Sequence, residues 1–335
     1  MSSNLISIII PTYNRADLIG ETLNSLIVQT HQNWECIIVD DGSIDGTEEL
    51  IKSYIRKDSR FQYHKRPLNR IKGANACRNY GFEMSKGDFI KWFDSDDIMH
   101  PDFLQKQINV LSKNSGLNFC ASFSETFVDT IKQVVAYNNP AIYIDNQDSL
   151  FNYIIGKVIF LTPSPLWKRD FLIDKNLFDE TLHNAHETDF NFARLIEGAK
   201  FQYLDEVLFY VRRGHQSIEG NFARDSDSFL SIFKYYQKVF VYLKSDSTHL
   251  DKTDRQDLSK FILYKQLMLL SNLRRILYVI SFRAEMSQVF FNMFSAQLKI
   301  RNQIKIFFGL FLLIFFKKGY RFFDLDELKK ARYSK

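Results

Sequence analysis

Four short runs that read as strands, separated by amphipathic stretches of helical spacing, constrain the first hundred residues more than any other feature of this chain. The runs are Leu5–Ile10, Glu35–Val39, Phe61–Lys65 and Asp88–Phe93. The first is rich in Ile and nearly continuous, as expected of a strand buried on both faces, and Pro11 is expected to end it. Between the runs lie Ala16–Gln29, Thr47–Ile55 and Ala74–Met84, which read as helices; Leu18, Ile19, Leu23, Leu26 and Ile27 set the spacing in the first. This alternation predicts an α/β fold with a Rossmann-like, mostly parallel sheet and helices on both of its faces.

Polar clusters follow three of the four runs directly: Thr12-Tyr13-Asn14, Asp40-Asp41-Gly42-Ser43 and Asp94-Ser95-Asp96-Asp97. Ligands of open α/β sheets sit beyond the carboxyl ends of the strands, so the three clusters are expected to converge on one crevice. In an extended chain alternate residues point the same way, so two carboxylates of the third cluster can address one ligand. One suits a sugar hydroxyl and the other a divalent metal, since Mg²⁺ and Mn²⁺ take a few carboxylates together with substrate phosphates and water. The same residues also suit an acidic turn that caps a helix starting near Pro101. Asp40 or Asp41 can accept hydrogen bonds from a nucleobase N–H and a ribose hydroxyl, or can simply shape a turn ended by Gly42.

Composition removes several classes. With 45% apolar and 25% charged residues, the chain is not wholly disordered, collagen-like or a disulfide scaffold. Cys36, Cys77 and Cys120 are widely spaced and form no CxxC pair, which argues against a zinc ribbon. The N-terminus lacks a basic leader, so a reducing cytoplasm is the expected setting. Charge divides the chain in two. Residues 1–224 carry 24 Lys and Arg against 29 Asp and Glu, a net of −5, whereas residues 225–335 carry 20 against 10, a net of +10.

Further along, Phe103–Ser112 reads as a helix, and Leu117–Asp129 and Leu204–Val211 as extended chain. Leu150–Phe160, Leu166–Leu172 and Phe190–Glu197 are additional apolar segments, and no Gly-, Pro- or Ser-rich linker separates them. From Phe229 the pattern is helical over Phe229–Leu243, Leu258–Phe282 and Met286–Phe316. The domains expected are 1–224 and a basic, Phe-rich helical extension over 225–335.

Four blocks, taken together, resemble the family 2 glycosyltransferases in order and spacing. They are Ser7-Ile8-Ile9-Ile10-Pro11-Thr12-Tyr13-Asn14-Arg15, Ile37 to Thr47 around Asp40-Asp41-Gly42-Ser43, Gly73-Ala74-Asn75-Ala76-Cys77-Arg78-Asn79-Tyr80-Gly81, and Phe93-Asp94-Ser95-Asp96-Asp97. The resemblance is strong over residues 5–105, weaker to about 220 and absent beyond. It implies a GT-A fold and inverting, metal-dependent transfer from a nucleotide-sugar, usually a UDP-sugar, with Mn²⁺ or Mg²⁺. Residues 1–105 would then be the nucleotide-sugar half and 106–224 the acceptor half.

Carried onto matching positions, the resemblance places Pro11, Thr12 and Tyr13 at the nucleoside. Asp40 and Asp41 would include the carboxylate that reads the base. Asp94 would touch the ribose or donor sugar, and Asp96 would ligate the metal. Arg78 and Asn79 match an ArgAsn pair that either contacts ligand or packs its helix on the sheet. Tyr210 to Ser217 resembles a closing motif in which His215 would complete the metal site and Arg212 would pair with diphosphate oxygens. The attacking hydroxyl needs a carboxylate base on the acceptor side. In Asn184-Ala185-His186-Glu187-Thr188-Asp189-Phe190 the family's GluAsp pair is replaced by His186-Glu187, so Glu187 falls at the base position, with Asp189 second. Both acids also suit a helix N-terminus through its dipole.

Between Leu258 and Phe323 there are 11 Lys and Arg and one acid, Glu285. Ile306–Phe316 is an uncharged run of 11 residues, short of the roughly 20 needed to span a bilayer. It suits a helix lying at the inner face of an anionic plasma membrane, or one packed on the protein or in a dimer. The expected partners are a nucleotide-sugar, a glycan or lipid-linked acceptor in surface polysaccharide synthesis, and that membrane surface. A nucleotidyltransferase of related fold would bring a Gly-rich, Lys-bearing N-terminal loop that is absent here. A nucleic-acid binder would bring a helix-turn-helix, zinc or RNA-recognition signature, and none is found.

Overall fold

β1 (Ile6–Thr12) runs through the proline that was expected to end it. β4 (Phe89–Trp92) pairs in parallel only with Ile6–Ile9 of β1. On the other side β2 (Trp34–Asp40) pairs with β1 in parallel as far as Pro11↔Val39 and Thr12↔Asp40. Pro11 therefore lies past the end of one ladder, where its missing N–H removes no bond. The strand consequently delivers Thr12 to the same level as Asp40.

The computed structural model describes residues 4–128, 131, 134–138, 149–214, 226–246, 248–272, 283–316, 320–326 and 328. The chain divides into two compact units. The first comprises Met1–Gln147, Ile159–Leu182 and His186–Ser217; the second comprises Asp148–Val158, His183–Ala185 and Ile218–Lys335.

In the first unit, α1 (Ile19–Ile27), α2 (Thr47–Ile55) and α3 (Ala74–Met84) alternate with β1, β2, β3 (Phe61–Lys65) and β4. The parallel order β3-β2-β1-β4 places a crossover between β1 and its two neighbours. Crevices at such points take ligands. β5 (Ile98–Met99) and α4 (Phe103–Lys113) follow, then β6 (Phe119–Val128), β7 (Val134–Asn138), β8 (Leu166–Lys168), a short α6 after α5, α7 (His186–Ile196) and β9 (Phe201–Arg213). Here α5 is Ser149–Ile154, which belongs to the second unit, and α6 is Arg169–Leu172.

β8 is antiparallel to both β4 and β6, so the sheet is parallel in its first half and mixed in its second. β6 and β9 pair in parallel with register shifts near Phe123. Such irregularities bend a strand and increase its twist. One face of this half is filled by Phe119, whose ring packs on Phe160, Trp167 and Phe201 at 4.1–5.1 Å between centroids. That aromatic packing lies where the sequence pattern was least regular.

In the second unit α8 (Ser226–Lys244), α9 (Lys252–Asn272), α10 (Arg283–Ser295) and α11 (Ile300–Phe316) form a helical array. Phe233, Leu267, Val289, Met293 and Ile306 belong to one buried cluster. The run Met286–Phe316, expected to be continuous, breaks after Ser295. Gln297 has φ 52°, and the carbonyl of Lys299 accepts from the amides of Asn302 and Gln303 at 2.8 and 3.1 Å to start α11. No Gly or Pro marks the break. Part of the expected helix Leu258–Phe282 lies outside the described residues, as do residues 215–225.

Gly81 sets how closely α3 approaches the sheet. A Cβ there would fall well inside van der Waals contact with Ile9 Cγ2, a buried branched side chain with no room to retreat. Gly81→Ala is expected to cost about 1–3 kcal/mol by overpacking, read as a lower urea midpoint. At Gly20 in α1 the nearest atoms to an added Cβ are at 3.5 and 3.8 Å, so Gly20→Ala should leave the stability unchanged or raise it by up to about 1 kcal/mol, read as an equal or higher midpoint.

Candidate active site

The loops after β1 and β2 are stitched together. Asn14, at φ 50°, accepts the Ile44 amide on Oδ1 at 2.9 Å, and its own amide donates to Ser43 Oγ at 2.9 Å. The Arg15 amide donates to Thr47 Oγ1 at 2.8 Å. Asn tolerates this left-handed backbone better than most residues.

Asp40 is the hub of the second loop. Its Oδ1 accepts from the amides of Gly42 and Ser43 and from Ser43 Oγ at 2.7–3.1 Å, and its Oδ2 accepts the Tyr63 hydroxyl at 2.7 Å. Asp41 pairs with Arg66, and both side chains are only about a tenth exposed. Above them the Tyr13 ring is 39% exposed, with the Lys72 ammonium 4.1 Å from its centroid. Thr12 is buried, and its hydroxyl finds no partner among the described residues.

Beyond β4 the acidic cluster is crossed by arginines. Arg78 of α3 donates to Asp94 Oδ1 at 2.9 Å and to Asn75 Oδ1 at 3.2 Å, while Trp92 Nε1 donates to the Arg78 carbonyl at 3.3 Å. The Arg78 Nε is buried without a partner among the described residues. Arg15 stands 3.4 Å from Asp96. Burial raises the Asp94 carboxyl above its usual range against the opposing pull of Arg78, and Asp96 raises it further. Asp97 is pushed up more strongly, by burial first and then by Asp94 and Asp96. Its Oδ1 accepts the Arg212 amide at 3.0 Å.

Two sequence candidates are held by protein groups. Arg212 is buried; its Nε donates to the Asp96 carbonyl at 3.1 Å and its Nη2 to Glu21 Oε2 at 2.7 Å, so it braces the acidic turn. Asn79 exchanges hydrogen bonds with the Phe178 backbone at 2.8 and 3.0 Å and donates to Glu180 Oε1 at 3.0 Å. Of the ArgAsn pair, Arg78 faces the carboxylates and Asn79 anchors the 178–180 segment.

The first turn of α7 carries His186, Glu187 and Asp189. Glu187 Oε2 accepts from the Thr162 amide at 3.0 Å and the Thr162 hydroxyl at 3.2 Å. It borders a small cavity walled by Trp92, Trp167, Phe178, Phe190 and Asn191. Burial drives its carboxyl up to about 7, Asp94 adds to the rise, and the Thr162 donors and Arg78 oppose it. His186 is lowered to about 3 by burial and then by Arg78, which keeps it neutral. Asp189 is 5% exposed and more deeply placed than Glu187. Arg194 is engaged with Glu197 at 2.7 and 2.9 Å, and Trp167 is core.

Among the described residues no group of three or more His, Cys, Asp or Glu is placed to hold a metal by itself. His215 lies outside the described residues. Asp94 and Asp96 keep 34% and 18% of their side chains exposed. Their hard oxygens fit a Mg²⁺ or Mn²⁺ ion whose shell is completed by substrate phosphates and water rather than by a protein cage.

Sequence reading missed Arg15, Arg66 and Lys72. Arg66 follows β3, so the strand-end rule applied to the third strand would have found it. Thr162 carried no signal, because only the fold brings it to Glu187.

The family model for glycosyl transferase family 2 matches residues 7–179. An uncharacterised glycosyltransferase of Rickettsia typhi is 31% identical over 66% of this chain and 67% of its own length. The putative teichuronic acid biosynthesis glycosyltransferase TuaG of Bacillus subtilis is 39% identical over 45% of this chain and 59% of its own. The crystal structure of S. aureus TarS residues 1–349 with UDP-GlcNAc superposes with a TM-score of 0.64 at 18% identity, over 99% of this chain and 90% of that one. The mannosyltransferase PcManGT of Pyrobaculum calidifontis, with GDP-Man and Mn²⁺, gives 0.55 at 14% identity, over 98% and 85%. The structural likenesses are of fold, GT-A in class.

Removing Arg66 leaves Asp41 buried without its cation. Arg66→Ala should destabilise the protein by about 3 kcal/mol in urea titration, and Arg66→Ala with Asp41→Ala together should cost less than the two changes summed.

Proposed function

The chain belongs to glycosyl transferase family 2, and on that premise we propose that it moves a sugar, with inversion, from a nucleotide-diphosphate donor to a hydroxyl of a glycan or lipid-linked acceptor. The observation that carries this reading is that Glu187 lies within electrostatic reach of the Asp94–Arg78 pair at the end of β4. Asp94, tied to Arg78, stands on the donor side, and Glu187 feels the charges of both. We place the donor as a UDP-sugar and the pathway as surface polysaccharide synthesis, supported by what TarS binds and by the name of TuaG.

In this reading Tyr13, Asp41 and Arg66 receive the nucleoside, with Asp40 holding their loop in shape. The Thr12 hydroxyl, at the end of β1, and Arg78 Nε, on α3, are buried without partners among the described residues and suit donor oxygens. Asp96 ligates the metal, with His215 the further candidate. The metal, when bound, neutralises the diphosphate leaving group as a Lewis acid. The acceptor oxygen attacks the anomeric carbon as Glu187 takes its proton. The bond to the diphosphate oxygen breaks with its electron pair, so one displacement inverts the centre. A carboxyl held near neutrality is a stronger base than an ordinary one, which suits Glu187 better than the deeper Asp189. Residues 225–335 hold the enzyme at the inner, anionic face of a membrane; among the described residues no helix is long and apolar enough to cross one.

Glu187→Gln should lower kcat by about 10²–10⁴-fold with nucleotide affinity intact. In the wild type kcat should rise with pH and level off above about 7, as the base loses its proton. Loss of activity in Asp189→Asn with Glu187→Gln near normal would move the base. The raised value also means that the fold favours the protonated form. Its contribution to stability is present below the ordinary carboxyl value of 4.5 and is lost as pH rises through about 7, a dependence Glu187→Gln should remove.

Calorimetry with UDP, GDP, CDP and ADP, each with Mn²⁺ and with chelator, tests the donor. UDP should bind with metal and not with chelator, and Asp96→Ala should abolish that metal-dependent binding. Tighter binding of another nucleotide would change the donor class, and metal-independent binding would remove Asp96 from its role.

A further inference from the structure

α11 is packed on one side only. Ile306, Leu310 and Leu313 are within the core of the second unit, at 0–5% exposure. Along another side run Ile300, Ile304, Phe307 and Phe311, at steps of four, three and four residues, each 44–76% exposed. That spacing is one continuous helical stripe, and Phe308 broadens it at 48% exposure. On α10, Phe291 and Phe294 are 67% and 53% exposed. Phe290 joins the two helices, its ring lying 6.0, 5.1 and 5.9 Å from those of Phe291, Phe294 and Phe307. Single exposed apolar side chains need no explanation, whereas a contiguous aromatic patch on two packed helices marks an interaction surface.

Charge selects the occupant. Residues 286–323 contain no Asp or Glu, and Lys299 and Arg301 stand exposed at the start of α11, with Lys305 partly exposed one turn on. An apolar stripe flanked by these cations complements an anionic headgroup layer over hydrocarbon, and the nearest acids in sequence are Glu285 near the start of α10 and Asp324 and Asp326 beyond Phe323. The stripe does not complement itself, because a two-fold contact would set the same cations against each other. At 17 residues α11 is about 25 Å long, suited to lying in the interface.

We propose that the α10–α11 face lies flat in the headgroup region of an anionic bilayer, with Phe291, Phe294, Phe307 and Phe311 inserted and Lys299, Arg301 and Lys305 on the phosphates. This deepens the membrane-surface reading above and rests on it, and it is independent of the catalytic assignments.

The test is co-sedimentation of the full chain with phosphatidylglycerol–phosphatidylcholine vesicles, beside pure phosphatidylcholine vesicles, at low and high salt. The wild type should bind the anionic vesicles, bind the neutral ones weakly, and lose binding as salt screens the rim. Phe307→Gln with Phe311→Gln should lower the partition coefficient on the order of ten-fold or more, as loss of two inserted aromatic side chains requires. Val241→Gln, at an exposed apolar position on α8, should bind as the wild type does. Lys299→Glu with Arg301→Glu gives a second variant whose binding should fall without touching an apolar residue. Circular dichroism and nucleotide binding on the same samples keep folding and the catalytic reading separate from the result. Undiminished binding by both double variants would leave the membrane reading standing and overturn this face. A wild type that ignores anionic vesicles would overturn both. A dimer that binds no vesicles and dissociates in the Phe double variant would make the face a contact between copies, which also overturns the proposal.

Discussion

The ion pair between Arg78 and Asp94 is the constraint on which the rest of the catalytic unit turns. A guanidinium at 4% side-chain exposure is tolerable only where its charge and its five donors meet acceptors. Asp94 and Asn75 meet part of that need, and Nε is left without a partner among the described residues. The pair exists because Gly81 lets α3 lie close on β1. Asn75 then reaches the carbonyls of Asp179 and Leu182, and Asn79 the backbone of Phe178. One helix thus fixes Asp94 and anchors the segment 178–182 that leads toward α7. His186 and Glu187 lie in the field of the same guanidinium.

The turn after β4 sets three carboxylates, Asp94, Asp96 and Asp97, among the arginines Arg15, Arg78 and Arg212. Asp94 and Asp97 are both raised, and each raises in part because other members of the cluster are near. Arg15, Arg78 and Arg212 offset this without filling the open side. Arg15 touches Asp96 at the edge, Arg78 sits beneath Asp94, and Arg212 binds the turn through a carbonyl and an amide. Asp94 and Asp96 keep 34% and 18% of their side chains exposed. In the proposed reaction a divalent ion and its diphosphate complete this charge balance, which explains why the protein supplies so few ligands of its own.

The first half of the unit was legible because it is locally determined. Thr47–Ile55, Phe61–Lys65 and Ala74–Met84 were read with their observed bounds, since apolar period and flanking polar residues agree there. Strand ends located Asp40, Asp41, Asp94 and Asp96 for the same reason. The period says nothing of which side chains those carboxylates meet. Asp40 proved to be the hub of its loop and Arg212 a brace because partners 23 to 191 residues away, Tyr63 and Glu21, complete them. The second half was harder. Its β6, β8 and β9 are joined by mixed pairings and irregular register, and aromatic packing rather than alternation decides which residues are buried.

Phenylalanine shows how one composition serves two ends. In the catalytic unit the rings of Phe119, Phe160 and Phe201 close on one another and on Trp167, and none is more than 3% exposed. In the helical unit Phe233 and Phe240 are buried in the same way, while Phe291, Phe294, Phe307 and Phe311 are not. The difference is not hydrophobicity but position on the helix. On α11 the small and aliphatic residues Gly309, Leu310 and Leu313 face the core, which leaves the aromatics the outer side. A chain selected only to fold would gain from the reverse arrangement, since an aromatic side chain contributes more when buried than a leucine or glycine does. Keeping the rings outside, on a helix whose charged residues are lysine and arginine alone, makes sense if something other than water lies against them.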